Sequence, residues 1–70
     1  MLTKYERYAV SIAATKYGFF DFANHLGVSP KRLAMCLNGK TDLEVERKIR
    51  ANWKLVKELL YGGGTKRNER

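Results

Sequence analysis

A single cysteine, Cys36, excludes a disulfide within the chain. It lies on the inner side of a helical segment, where cysteine acts as a small hydrophobe, and this usage suits a reducing compartment. Histidine is equally scarce: His25 is the only one and has no Cys or second His beside it, so it reads as a surface side chain and no metal centre is expected. Proline occurs once, at Pro30, where it starts a helix. No stretch approaches the ~18 apolar residues of a membrane span, and MLTKYERYAV lacks the charged-then-apolar layout of a signal peptide. A cytoplasmic protein is expected.

Acid is also in short supply. Seven Asp and Glu face fourteen Lys and Arg, a formal charge of +7 that favours acidic partners, with nucleic acid first among them. An acidic protein surface or anionic lipid satisfies the same charge, but no helix sets Lys and Arg cleanly opposite an apolar face, which argues against a membrane role. Catalytic constellations are missing too. Ser11, Ser29 and His25 fall on separate elements, no glycine motif cradles a phosphate, and no acidic pair stands at catalytic spacing. Neither an enzyme nor a cofactor is expected; binding remains.

Seventy residues allow one core, and a chain this short buries only about 60% of its extended surface. Helices suit that limit, and apolar spacing predicts an all-α compact bundle. From Thr3 to Tyr17 the apolar positions Tyr5, Tyr8, Ala9, Ile12 and Ala13 recur at helical spacing, with Lys4, Arg7 and Lys16 on other faces. Thr3 and Glu6 form a capping-box pattern, and Gly18 ends the helix. In the next segment Phe22, Ala23 and Leu26 share one face, which leaves Phe20 or Phe22 partly exposed. Gly27 closes that helix, Ser29 and Pro30 start another, Leu33 and Leu37 face inward, and Asn38-Gly39 ends it.

The stretch Thr41 to Tyr61 reads as one long helix, capped by Thr41 or Asp42, with Val45, Ile49, Trp53, Val56 and Leu60 as an unbroken stripe. Glu44 with Lys48 and Glu46 with Arg50 stand at i,i+4 in the favourable order. Leu55 and Leu59 add a second apolar row. Trp53, Leu55, Val56, Leu59 and Leu60 are therefore expected to extend beyond the core and form a two-fold homodimer; the alternative is a helix folded back over Tyr5 and Tyr8. Residues 1–61 make the domain, and Gly62-Gly63-Gly64 followed by TKRNER makes a flexible basic tail.

The central pattern resembles the helix-turn-helix of the lambda-repressor-like (Cro-like, XRE-type) DNA-binding family. It rests on Ala23, Gly27, Val28-Ser29, Leu33, Cys36 and Asn38-Gly39-Lys40. The resemblance implies a small phage or mobile-element transcriptional regulator that binds double-stranded operator DNA as a dimer. By position, Pro30, Lys31, Ala34 and Met35 would face the groove, Arg32 would flank them, and Asn38 and Lys40 would lie near phosphates. Lys31, Arg32, Lys40, Arg47 and Lys48 would neutralise phosphate charge. Phe19 and Pro30, however, stand where family members often carry Gln. With Phe20 and Met35 they supply an alternative: an anti-activator or anti-repressor that binds a host regulatory protein through this apolar set.

Overall fold

The computed structural model describes residues 1–61, and the expected tail lies outside the described residues. Among the described residues five helices pack as a bundle: α1 (Lys4–Tyr17), α2 (Phe19–Leu26), α3 (Pro30–Leu37), α4 (Leu43–Ala51) and α5 (Trp53–Tyr61). The boundaries follow local chemistry. Thr3 Oγ1 accepts from the Glu6 amide at 3.0 Å and Glu6 Oε1 accepts from the Thr3 amide at 2.9 Å, the reciprocal box that opens α1. Gly27 ends α2 in the left-handed region at φ 78°, where the Val28 amide donates back to Ala23 O at 3.0 Å. Ser29 Oγ accepts from the Arg32 amide at 3.3 Å, and Pro30 takes the first position of α3.

The core gathers Val10, Phe22, Leu33, Val45, Ile49 and Val56, all fully enclosed, with Leu2 and Leu26 at its edges. Burying each such large side chain contributes about 1.5–3 kcal/mol. α1 touches α2, α3 and α5; α3 also packs on α2 and α4. The buried face of α1 is Ala9, Val10, Ala13 and Ala14, a row of small residues that lets three neighbours approach closely. Tyr5 and Tyr8 belong to the outer surface, 63% and 67% exposed, and Ile12 is only half-buried. The tyrosine stripe expected to be core is thus rotated outward: alanines satisfy the packing, while the phenol groups keep their contact with water.

The predicted long helix is two helices. Asn52 interrupts it: its backbone amide donates to Ile49 O at 3.0 Å, and its Nδ2 donates to Lys48 O at 2.8 Å. The break directs α5 onto α1, which absorbs the second apolar row. Val56 is completely enclosed, and Trp53, Leu55, Leu59 and Leu60 pack half-buried against the same core. The expected extension of these five residues beyond the core is therefore corrected: α5 covers its own chain. Lys16 Nζ reinforces the contact by donating to Leu59 O at 3.0 Å.

The i,i+4 ion pairs expected on α4 are also replaced. Glu44 turns to Arg32 at 3.2 Å, and Arg50 turns to Glu6 on α1 at 3.0 Å. Glu46 is buried, 3.1 Å from the Met1 ammonium, and its Oε2 accepts from the Asp42 amide at 3.2 Å. Asp42 is the N-cap of α4, accepting from the Val45 amide. Leu37, expected inside, packs half-buried against the core, and Cys36, expected on the inner side with Leu33, is buried.

Candidate nucleic-acid interface

The two faces of α3 have opposite characters. Leu33 and Cys36 point into the core, and burial pushes the Cys36 thiol above its ordinary pKa. The outward stripe is Lys31, Ala34, Met35 and Asn38, spaced i, i+3, i+4 and i+7. Lys31 and Asn38 are exposed, Ala34 is half-buried, and Met35 is 38% exposed. The stripe thus presents a cation, a methyl group, a thioether and an amide along one side of an eight-residue helix.

Arg32 is held away from that stripe. Its Nε donates to Asp42 Oδ2 at 3.0 Å and its Nη2 to Asp42 Oδ1 at 2.9 Å, with a further bond to Glu44 Oε1 at 3.2 Å. The guanidinium holds the Asp42 carboxyl below the usual carboxylate range, and the same fork makes Arg32 bind its own proton more firmly. Arg32 is therefore a strap between α3 and the start of α4, its charge matched inside the molecule. Lys31, Lys40, Arg47 and Lys48 take part in no ion pair among the described residues. The Lys48 ammonium lies over the α2–α3 turn, 3.5 Å from where a side chain at Gly27 would begin.

Comparison with protein-family models, curated proteins and solved structures returned no match to the chain.

The apolar set is narrower than expected. Phe19 packs against the core and Pro30 is half-buried, which leaves Phe20, 73% exposed, and Met35 as the accessible members. Phe20 meets Phe19 edge to face at 6.0 Å between ring centres. His25 is exposed and leans on Tyr17 at 5.8 Å. No helix among the described residues is long and apolar enough to cross a membrane.

Lys4 and Arg7, expected only on faces of α1 other than its apolar stripe, join this surface. They line a cleft of 340 Å³ with Tyr8, Ser11, Leu37 and Asn38, at the exit of α3. Arg7 Nη1 comes within 2.8 Å of the position a Cβ on Gly39 would occupy, so the glycine makes room for the guanidinium. The signal available in sequence was Gly39 itself, after Asn38, together with the absence of an acid one turn from Arg7.

Proposed function

We propose that this chain is a small DNA-binding transcriptional regulator that lays the outward face of α3 in the major groove. The observation that carries the reading is the outward stripe of exposed Lys31, Met35 and Asn38 with half-buried Ala34, along α3 and its C-cap, while Arg32 is tied to Asp42. An α-helix with its side chains is about 10–12 Å across, which matches a major groove about 12 Å wide. Lys31 supplies the donor for a guanine edge, Met35 and Ala34 the apolar contact for a thymine methyl, and Asn38 with Lys40 the backbone contacts. Arg47 and Lys48 add phosphate attraction, and the formal charge of +7 gives the whole domain an affinity for polyanions.

On this reading the protein is a cytoplasmic, cofactor-free, non-enzymatic member of the lambda-repressor-like class. It binds a pseudo-palindromic site as a homodimer, its recognition helices about 34 Å apart. With Val56 enclosed, the subunit contact falls to Tyr61 and the outer edges of Trp53, Leu55, Leu59 and Leu60.

Fluorescence anisotropy with random and native upstream duplexes, across ~50–200 mM salt, tests it. Lys31→Ala is expected to weaken binding and reduce the salt slope by ~0.9. Wild-type protein that leaves both duplexes unbound at low salt would overturn the reading. A second reading, docking on a host regulatory protein, is favoured by one observation, the 73% exposure of Phe20. Loss of a host-protein pull-down in Phe20→Ala, with DNA binding absent in the wild type, would replace the first reading with the second.

A further inference from the structure

The cleft between α1 and the exit of α3 has the composition of an oxyanion site. Lys4 and Arg7 enter it from α1, Asn38 enters it from the end of α3, and among the described residues no carboxylate lines it. Neither cation takes part in an ion pair among the described residues. This sets Arg7 apart from Arg32 and Arg50, each of which grips a carboxylate with two nitrogens.

Arg7 is also incompletely satisfied. Among the described residues its Nε has no hydrogen-bond partner and is shut off from solvent, so a ligand in the open cleft would meet the terminal nitrogens rather than Nε. Gly39 sits at φ 110° where the chain leaves α3, and any side chain there would begin 2.8 Å from Arg7 Nη1, so the guanidinium lies against the α3 exit. A half-buried arginine fork, an adjacent ammonium and a side-chain amide around an open cleft match the donor set that recognises the paired oxygens of a phosphate.

We propose that Lys4, Arg7 and Asn38 form a phosphate-binding pocket, filled by a backbone phosphodiester of the duplex that α3 engages. This rests on the reading of α3 as a groove-binding helix and adds α1 to the contact surface. Asn38 is shared between the outward stripe and the pocket, so a phosphate held there fixes the C-terminal end of α3 against the backbone. The pocket supplies register, and the stripe supplies base contacts.

The test compares Lys4→Ala, Arg7→Lys and Lys31→Ala with wild type in duplex anisotropy over ~50–200 mM salt, with Lys54→Ala on α5 as the control. Lys4→Ala is expected to weaken binding about tenfold and lower the salt slope by ~0.9. Arg7→Lys, which keeps the charge but loses the fork, is expected to weaken binding with the slope retained. If Lys31→Ala weakens binding while Lys4→Ala and Arg7→Lys match wild type, the pocket is overturned and the α3 reading stands. If wild type binds no duplex, both fall.

Amide shifts of Asn38 and Gly39 give a second readout, using inorganic phosphate against chloride at equal ionic strength, and then the duplex. Shifts with the duplex that are lost in Lys4→Ala support the pocket, whether or not free phosphate also produces them. Shifts with inorganic phosphate alone overturn the duplex as the source of the ligand. Still amides under both overturn the pocket.

Discussion

Arg50 on α4 grips Glu6 on α1 with both terminal nitrogens, Nη1 to Oε2 at 3.0 Å and Nη2 to Oε1 at 3.2 Å, across 44 residues of sequence. Glu6 also closes the N-terminal cap of α1, so one carboxylate serves a helix end and a tertiary contact. The Arg50 fork, and then the Thr3 amide, hold the Glu6 carboxyl below its ordinary value of 4.5. Arg32 does the same to Asp42, whose ordinary value is 3.8.

Acid should therefore loosen α4 from its neighbours. A carboxyl whose pKa is depressed by folding adds stability that is complete above its ordinary value and is lost as pH falls through the folded-state value. Thermal melts followed by circular dichroism are expected to show a falling Tm below pH 4.5, continuing below 3.8 as Asp42 takes its proton. Glu6→Gln should start from a lower Tm at neutral pH and fall less steeply in acid. An acid limb unchanged in Glu6→Gln would show that other carboxylates control it.

Arg32 gives a prediction that separates positioning from phosphate contact. Because its fork is occupied by Asp42, Arg32→Lys removes the two-point grip while keeping the charge. Both Arg32→Lys and Arg32→Ala are expected to reduce duplex affinity by loosening α3 from α4, with the salt slope near that of wild type. Lys31→Ala, by contrast, should lose ~0.9 from the slope. A slope loss of that size in Arg32→Ala would mean that Arg32 leaves Asp42 to reach a phosphate.

The adjacent aromatics of α2 should behave oppositely. Phe22 is fully enclosed and meets Tyr17 edge to face at 5.7 Å, so Phe22→Ala is expected to cost about 3–5 kcal/mol in urea unfolding. Phe20 is 73% exposed, and Phe20→Ala should stay within about 0.5 kcal/mol of wild type. A large loss for Phe20→Ala would show that its edge contact with Phe19 holds the start of α2 in place.

What could be read from the sequence was what is decided within four residues. The Thr3–Glu6 box, the Gly27 stop and the Ser29 cap each depend on side chains next to the backbone groups they satisfy, and each appears as expected. The Asn52 break was hidden because α5 starts at the very next residue, so the apolar stripe from Val45 to Leu60 continues almost in phase across it. Ion pairing escaped for a different reason: i,i+4 partners compete with tertiary ones, and Glu6 and Asp42 come to Arg50 and Arg32 only once α1, α3 and α4 have packed. The same holds for the cleft, since Arg7 and Asn38 meet only where α1 crosses the end of α3. Apolar periodicity also could not choose between the tyrosines and the alanines of α1, which lie side by side on the helix; packing distance made that choice.

Two glycines allow backbone strain to be separated from the cleft. Gly27 and Gly39 both occupy positive φ, at 78° and 110°, so alanine at either should cost about 1–3 kcal/mol in backbone energy. Their surroundings differ. A Cβ at Gly27 meets only the mobile end of Lys48 at 3.5 Å, an ordinary contact, whereas at Gly39 it begins 2.8 Å from Arg7 Nη1 and must push the guanidinium aside. Gly27→Ala is thus expected to lower Tm with the salt dependence of duplex binding intact. Gly39→Ala should lower Tm and also weaken binding, because Arg7 can no longer rest at the exit of α3. The double variant Gly39→Ala with Arg7→Ala removes the clash, so its stability loss should be smaller than the sum of the two single losses. Additive losses would mean that Arg7 has room to move away freely, and that Gly39 is required for its dihedral angle alone.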